Sequence, residues 1–295
     1  MNVRITGSGY YLPKKIETSS ELSLKINKSE KWIVSRTGVK ERRISNIDVD
    51  KMGAIAAKKA LSNSKKGPDL IINASGVGKQ TIPDTSIFIQ KELGFSGVPS
   101  FSIHATCLSF LIALNTASTF LSHGLYKKIL IVSSDRGTRG RNFNEPESSA
   151  LLGDAAAAVY LQKSMDNKGM ISYSMQTFPE GASLTEVRGG GTNLHPQDSK
   201  TTLLDNLFSM NGPKVYKMAR KKVYDLIQMD LVKNNLTTND IDYVIPHQAS
   251  GMAVEAYFKY GGFKESQVIN IITNTGNCVA ASLPLALVTA FKDNK

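Results

Sequence analysis

The sequence predicts an α/β fold, and three observations support this prediction. Short apolar runs of the length of buried strands alternate along the chain with stretches of helical spacing. The 295 residues are 41% hydrophobic and 21% charged, which supplies a sizeable core and excludes a disordered or collagen-like chain. The two halves of the chain also share a pattern of strand, turn and helix. Strands that alternate with helices indicate a mainly parallel sheet covered on both faces.

The individual elements follow from apolar runs and apolar periodicity. Short apolar runs predict strands at 3–6, 70–73, 99–103, 128–133, 156–161, 242–245 and 268–272. Helical spacing predicts one helix through Met52, Ile55, Ala56, Ala60 and Leu61. It predicts a second helix through Val215, Ala219, Val223, Leu226 and Ile227.

An internal repeat predicts two similar halves. The segment 68–76 resembles 241–251, since each has an Asp, a strand and a small-residue turn containing Ala-Ser. Downstream, 98–117 resembles 267–287, and this alignment places Asn277 opposite Thr106 or Cys107. We predict an N-terminal half at 1–165 and a C-terminal half at 166–295. The sequence between them has no low-complexity tract or flexible linker, so we expect the halves to pack as one body.

The net charge narrows the classes of binding partner, and the number of cysteines indicates the cellular compartment. Lys and Arg outnumber Asp and Glu by 36 to 25, giving a net charge of +11. This excess fits a solvated basic surface, nucleic acid, an anionic membrane or an acidic partner. Nucleic acid is disfavoured because basic residues are not interleaved with aromatic ones and no binding motif is recognised. No apolar run reaches the roughly 20 residues of a membrane span, and the N-terminus lacks a signal peptide. Two cysteines indicate a reducing compartment, most simply the cytoplasm.

Three polar residues at predicted strand ends point to covalent catalysis. Cys107 lies between a strand and a helix, where the helix N-terminus favours the thiolate. His247 follows the strand at 242–245, and Asn277 lies in a turn after the strand at 268–272. Packing of the two halves about a pseudo-twofold axis would bring them together. A structural cysteine and a structural histidine are the alternatives. A metal site at Cys107, Cys278 and His247 is disfavoured because it lacks ligand spacing.

Ordered motifs along nearly the whole chain resemble the ketoacyl-acyl carrier protein synthase III branch of the thiolase superfamily. The most distinctive is SEKWIVSRTGVKERRIS at 29–45. The others are GSGYYLPKKIETSSEL (7–22), HATCLSFLIAL (104–114), LLGDAAAAVYL (151–161), FSMNGPKVYKMA (208–219), IPHQAS (245–250) and NTGNCVAASLPLAL (274–287). The resemblance implies a five-layer αβαβα fold with two pseudo-symmetric halves, mixed and mainly parallel sheets, and a homodimer.

The resemblance also implies a reaction. By it, Cys107 takes an acyl group from a thioester, and His247 and Asn277 hydrogen-bond the carbonyl of an incoming malonyl unit. Decarboxylative Claisen condensation then gives a β-ketoacyl product of fatty-acid or specialised-metabolite biosynthesis. Two neutral donors aimed at the enolate oxygen suit this chemistry because they act where charge develops. The substrates would be thioesters of CoA or acyl carrier protein, with no permanently bound cofactor and no metal.

The predicted binding residues lie in basic segments. By resemblance, Trp32 and Arg36 line the CoA entrance, but Pro146 stands near the place of the arginine that completes the family's adenine site. Lys214, Lys217, Arg220 and Lys221 fall largely on one helix face, which suits an acidic carrier protein. Lys40, Arg42 and Arg43 form a second basic cluster. Solvated basic faces are the alternative explanation for both clusters.

Departures from the family pattern indicate a specialised relative and leave two alternatives to condensation. Ser102 and His104 replace an Asp and an Asn before the nucleophile, and Ser250 replaces the Asn after PHQA. The alternatives are an acyltransferase or non-decarboxylating condenser with His247 as general base, and a non-catalytic carrier-protein-binding partner of an active paralogue. The family's C-terminal hairpin is not found after Asn277, and we expect truncation or missing tail residues.

Overall fold

The computed structural model describes residues 1–64, 66–166 and 168–292. Its strands are β1 (Val3–Tyr11), β2 (Lys15–Thr18), β3 (Glu41–Ile44), β4 (Leu70–Asn73), β5 (Ser100–Ser102), β6 (Lys128–Arg136), β7 (Asp154–Lys163), β8 (Thr185–Glu186) and β9 (Ser209–Met210). Its α-helices are α1 (Ser19–Ile26), α2 (Glu30–Thr37), α3 (Val49–Ala60), α4 (Thr85–Leu93), α5 (Ser109–Ser122), α6 (Pro146–Ser149), α7 (Gly212–Lys233), α8 (Gly251–Lys259), α9 (Ile272–Thr275) and α10 (Ser282–Lys292). None of these described helices is both long and apolar enough to cross a membrane.

The main sheet has five strands in the order β1-β7-β6-β4-β5. β4 pairs in parallel with β5 and β6, whereas β7 pairs antiparallel with β1 and β6. The strands predicted at 3–6, 70–73, 99–103, 128–133 and 156–161 are β1, β4, β5, β6 and β7. The predicted mixed α/β sheet is therefore confirmed for this part of the chain.

Helices cover both faces of the main sheet. On one face, Met52 and Ala56 of α3 and Ile89 of α4 pack against Leu130 and Val132 of β6. The other face packs against α5 and α10, through side chains that include Phe110, Leu121, Leu283 and Val288. β4 and β6 are buried between the helical layers because their apolar side chains point to both faces. The 3₁₀ helices Thr106–Leu108 and Val279–Ala281, which directly precede α5 and α10, contact each other.

The second half of the chain differs from the prediction in its strands. The segments 242–245 and 268–272 are connected by one parallel bridge between Val244 and Val268. Two backbone hydrogen bonds form it, from the Val244 N–H to the Gln267 carbonyl at 2.8 Å and from the Ile269 N–H to the Val244 carbonyl at 2.9 Å. Among the described residues no further strand pairs with either segment, so neither extends into a regular strand.

Candidate active site

The turn that carries Cys107 is built from a 3₁₀ helix between β5 and α5. The 3₁₀ helix spans Thr106–Leu108, and Thr106 adopts a φ of +48°, which is unusual for a β-branched residue. The hydroxyl of Ser109 accepts the Ala105 N–H at 3.0 Å and donates to the Thr106 carbonyl at 2.7 Å. The prediction that Cys107 lies between a strand and a helix is confirmed by this geometry.

The thiol of Cys107 is less acidic than the sequence predicts. Burial, and secondly the nearby negative charge of Asp135, raise the pKa of Cys107 to about 11. The start of the helix was expected to favour the thiolate, but desolvation outweighs that effect. Cys107 is therefore a protonated thiol near neutral pH.

The turn that carries Asn277 is attached to the first half of the chain. The Asn277 N–H donates to the Leu151 carbonyl at 2.7 Å, and the Gly153 N–H donates to the Asn277 carbonyl at 2.9 Å. A Cβ at Gly153 would lie 2.1 Å from the Thr275 carbonyl oxygen, so only glycine allows this close approach. The backbone of Asn277 thus bridges the two predicted halves directly.

The side chain of Asn277 faces the segment of His247. Its Oδ1 accepts the Val279 N–H at 2.9 Å, and its Nδ2 donates to the Ala249 carbonyl at 3.4 Å. The Ala249 N–H in turn donates to the His247 carbonyl at 2.9 Å. An amide nitrogen carries two hydrogens, so Asn277 keeps one N–H for a further acceptor.

His247 is a neutral imidazole in this structure. Burial lowers the pKa of His247 to about 4, and no hydrogen-bond partner for its Nδ1 is found among the described residues. The neighbouring Gln248 fixes the segment, since its side chain is buried and bonds the Ile269 carbonyl at 3.0 Å and the Ile271 N–H at 2.9 Å. His247 can therefore donate a hydrogen bond without carrying a positive charge.

The Cys107 turn and the Asn277 turn pack against each other and share one geometry. The 3₁₀ helix Thr106–Leu108 contacts the 3₁₀ helix Val279–Ala281. In the second turn the Cys278 N–H donates to the Ser282 hydroxyl at 2.8 Å, as the Ala105 N–H does to Ser109, and Val279 has a φ of +53°. This pseudo-symmetry pairs Thr106 with Val279. It corrects the sequence alignment, because the counterpart of Asn277 is then His104 rather than Thr106 or Cys107.

The predicted CoA residues lie on a helix that touches the His247 segment. Trp32 of α2 is partly buried against Leu22, Ile26, Ile33 and Ala150, and the Lys28 Nζ lies 5.5 Å from its ring centroid. Arg36 is exposed. Gly38 directly follows α2, has a φ of +76° and packs on Gly251, the first residue of α8. The structure thus places Trp32 and Arg36 on an element that contacts the helix after His247.

Arg136 at the end of β6 and Arg141 beyond it form ion pairs with acidic side chains. The position of Arg42 contradicts the prediction of a basic cluster with Lys40 and Arg43. Arg136 donates to Asp48 at 2.9 Å, and Arg141 forms an ion pair with Glu17. Arg42 is fully buried and donates to the Ser19 hydroxyl at 2.9 Å. β3 turns its side chain into the protein, so Arg42 is not part of an exposed basic cluster, whereas Lys40 is exposed.

The basic side chains predicted on α7 are exposed, but its apolar face is not buried as expected. Lys214, Lys217, Arg220 and Lys221 all lie at the surface. Arg220 stacks on Tyr260 at 4.7 Å. Ala219 and Val223 are also exposed, Val223 at 38%, and Leu231 is the buried residue of this helix. α7 therefore presents a mixed basic and apolar surface.

Two further features escaped the sequence reasoning. Asp135 is fully buried at the end of β6 beside the Cys107 turn. His104 Nε2 lies 3.0 Å from the Gly76 carbonyl. An acidic residue at the end of a buried strand was the available signal for Asp135. A cavity of about 260 Å³ lies between α8 and α10, lined by residues such as Phe258 and Ile269, and none of the predicted site residues lines it.

Comparisons with known proteins give one consistent result. Residues 101–179 match the family model described as 3-oxoacyl-[acyl-carrier-protein (ACP)] synthase III, and residues 231–295 match the model of its C-terminal part. The beta-ketoacyl-[acyl-carrier-protein] synthase III of Pseudoalteromonas atlantica is 32% identical, covering 100% of this chain and 92% of that protein.

Solved structures agree with the sequence matches. The 3-oxoacyl-[acyl-carrier-protein] synthase III from Aquifex aeolicus VF5 superposes with a TM-score of 0.89 at 28% identity, covering 99% of this chain and 91% of that one. The priming beta-ketosynthase from the R1128 polyketide biosynthetic pathway superposes with a TM-score of 0.85 at 25% identity, covering 97% and 86%. These likenesses confirm the predicted thiolase-like fold.

Proposed function

The chain belongs to the 3-oxoacyl-[acyl-carrier-protein] synthase III family, and from this premise we propose that it condenses an acyl group carried on Cys107 with a malonyl thioester. The observation that carries the proposal is the packing of the Cys107 turn on the turn that follows Asn277. That packing brings a nucleophile from residues 1–165 next to a hydrogen-bond donor from residues 166–295. The reaction class needs this combination.

The first step is acyl transfer to Cys107. The Cys107 sulfur attacks the thioester carbonyl, its proton passes to the departing thiol, and an acyl-cysteine and a free carrier thiol result. Backbone N–H groups at the Cys107 turn are oriented as at any helix start and can stabilise the oxyanion that forms. The high pKa of Cys107 means that the resting group is the thiol, so its proton must leave in the course of acyl transfer.

The second step is decarboxylation of the malonyl unit and carbon–carbon bond formation. Loss of CO₂ leaves an enolate, whose carbon attacks the acyl-cysteine carbonyl. The carbon–sulfur bond breaks, and the Cys107 thiolate that leaves takes up one proton from solvent. His247 suits the role of donor to the enolate oxygen, because burial keeps it neutral with one N–H available. Asn277 has one amide N–H that its described partners leave free for the same oxygen.

Two surfaces suit the delivery of thioesters. Trp32 and Arg36 on α2 suit the adenine and phosphates of CoA by stacking and by charge. The exposed residues Lys214, Lys217, Arg220 and Lys221 on α7 suit an acidic acyl carrier protein, which long-range attraction would steer toward the site. Both free cysteines fit a reducing compartment such as the cytoplasm.

A homodimer is the assembly that we propose. β5 lies at the end of the main sheet, and among the described residues it pairs only with β4. Phe101 on this strand is 36% exposed, and Ile87 on the neighbouring α4 is 52% exposed. An open strand edge with apolar neighbours favours pairing with a second copy of the same edge.

Intact-mass analysis after incubation with acyl-CoAs and acyl-carrier proteins tests the proposal. A mass increase equal to one acyl group, absent in Cys107→Ala, is the expected result. A subsequent loss of this adduct on addition of a malonyl thioester supports condensation. An adduct that discharges only to an alcohol, an amine or a second acyl thioester favours the acyltransferase or non-decarboxylating alternative. The absence of any adduct favours a non-catalytic partner.

A further inference from the structure

Asp135 is a buried carboxylate that the proposed reaction does not use. It lies at the end of β6 with no exposed surface. Its Oδ1 accepts the N–H groups of Gly76 at 2.9 Å and Val77 at 3.0 Å, and its Oδ2 accepts that of Ala281 at 3.1 Å. Each oxygen thus binds a different turn, one in each half of the chain.

The first of these turns holds the residues around Cys107. The Gly76 carbonyl is bonded to His104 Nε2 at 3.0 Å, and the Ser75 carbonyl oxygen lies 3.3 Å from the hydroxyl oxygen of Ser109, whose hydrogen it shares with the Thr106 carbonyl. His104 and Ser109 stand on either side of the nucleophile. A shift of the Gly76 turn would therefore move the backbone on both sides of Cys107.

The second turn holds the side chain of Asn277. Ala281 is the last residue of the 3₁₀ helix Val279–Ala281, and the N–H of Val279 donates to Asn277 Oδ1 at 2.9 Å. The Ala280 N–H is a further donor to the Asp135 carboxylate. Fixing this 3₁₀ helix therefore fixes the orientation of the Asn277 amide.

We propose that Asp135 is a positioning residue that joins the Cys107 turn to the Asn277 turn and so sets the geometry for condensation. The inference rests on the proposed function, since it assigns a task to that same site. A carboxylate suits the task because both of its oxygens accept hydrogen bonds. An Asn side chain would offer one acceptor oxygen and would turn its NH₂ group toward the N–H donors of the other turn.

The surroundings of Asp135 provide an independent readout. Burial raises the pKa of Asp135 to about 7, although the backbone N–H groups of Val77, Gly76, Ala281 and Ala280 oppose this rise. Its negative charge raises the pKa of both Cys107 and Cys278. Within the described part of the chain, these two thiols and His104 are the titratable side chains found beside the carboxylate or beside the turns that it binds. The reactivity of Cys107 as a function of pH therefore reports on Asp135 without any substrate.

The experiment compares three variants in the full chain: Asp135→Asn, Asp135→Glu and Asp154→Asn. Asp154 is the matched control, because it too is fully buried and binds backbone N–H groups, of Ser45 at 2.7 Å and Thr138 at 2.9 Å, but both lie within residues 1–165. The measurements are the rate of Cys107 alkylation by iodoacetamide from pH 6 to 11 and the single-turnover rate of condensation of acylated enzyme.

Asp135→Asn is expected to slow condensation by about 100-fold, as a displacement of about 1 Å does. Its alkylation rate at pH 8 should rise about tenfold, since losing the charge lowers the thiol pKa. Asp135→Glu keeps the charge but is one methylene longer, so condensation should fall while the alkylation profile stays. Asp154→Asn should leave the alkylation profile unchanged.

Several results would overturn the assignment. One is wild-type condensation in Asp135→Asn or in Asp135→Glu. Another is an equal shift of the alkylation profile in Asp135→Asn and Asp154→Asn, which would indicate a general structural effect. If Asp135→Asn does not fold, Asp135→Glu decides alone through its condensation rate. Failure of the proposed function can be distinguished from failure of the Asp135 assignment. If the proposed function is wrong, wild-type enzyme forms no acyl-Cys107, although its alkylation profile can still be measured.

Discussion

Gly153→Ala offers a direct way to separate the two halves of the proposed site. The new Cβ would lie 2.1 Å from the Thr275 carbonyl oxygen, whereas real contacts of this kind are longer than 3 Å, so the Asn277 turn must move away from β7. Two backbone hydrogen bonds join the turn to the first half, Asn277 N–H to Leu151 and Gly153 N–H to Asn277. Cys107 is also held by contacts within the first half, such as the bond from the Ala105 N–H to the Ser109 hydroxyl, and should move less than Asn277.

The expected loss of stability in Gly153→Ala follows from the two backbone hydrogen bonds and from the crowding at the new Cβ. Each lost backbone hydrogen bond costs about 1 kcal/mol and overpacking costs about 1–3 kcal/mol, so the free energy of unfolding should fall by about 3–5 kcal/mol. Displacing Asn277 by about 1 Å should slow condensation by about 100-fold. The acylation of Cys107 should change by less than about threefold, because that step uses the first half.

Urea denaturation gives the free energy, and rapid-quench mass spectrometry gives the two rates separately. Gly191→Ala is the control, since a Cβ at Gly191 meets no atom within 4 Å. Gly153→Ala with wild-type condensation, or with acylation and condensation reduced equally, would refute the reasoning that Asn277 acts in the second step alone.

Three further predictions concern His247 and the binding surfaces. The folded-state pKa of His247 is depressed to about 4 from 6.5, so its protonation opposes folding and its contribution to stability is lost as pH falls from about 6.5 to 4. His247→Gln should accordingly lose less free energy of unfolding than wild type over that range in urea titrations, and an equal loss in both proteins would contradict this. Trp32→Ala should raise KM for acyl-CoA up to about tenfold and leave KM for acyl-carrier protein unchanged in steady-state assays, since stacking contributes about 0.5–1.5 kcal/mol; parallel changes for both donors would refute it. The double variant Lys214→Glu, Lys217→Glu should lower kcat/KM for carrier-borne substrates about tenfold at low salt and less at high salt. The control pair Lys51→Glu, Lys58→Glu on α3 should not lower kcat/KM. Equal effects of the two pairs would argue against docking of the carrier protein on α7.

The central strands of the main sheet could be predicted closely, because β4, β6 and β7 contain short apolar runs that are buried on both faces. The run at 70–73 coincides with β4, and that at 128–133 lies within β6. The strands of the second half could not be predicted correctly in this way. An apolar run specifies a buried segment, but a regular strand also needs a paired neighbour, and among the described residues Val244 and Val268 form only one bridge.

The site residues could be named from the sequence, but their environment could not. The pKa of Cys107 depends on desolvation and on Asp135, which is distant in sequence and adjacent only after folding. Arg42 looked like part of an exposed basic cluster, and the structure buries it beside Glu17. The pseudo-symmetric partner of Asn277 could be identified only from the positive φ angles of Thr106 and Val279. The types of these two residues do not predict such angles.

The measurement that tests the central claim most directly is a single turnover of acyl-Cys107 enzyme with a malonyl thioester, with CO₂ and β-ketoacyl product quantified together. The account predicts one CO₂ and one β-ketoacyl product for each acyl group lost from Cys107, and no product from Cys107→Ala. Loss of the acyl group without CO₂, or condensation that persists in Cys107→Ala, would contradict it.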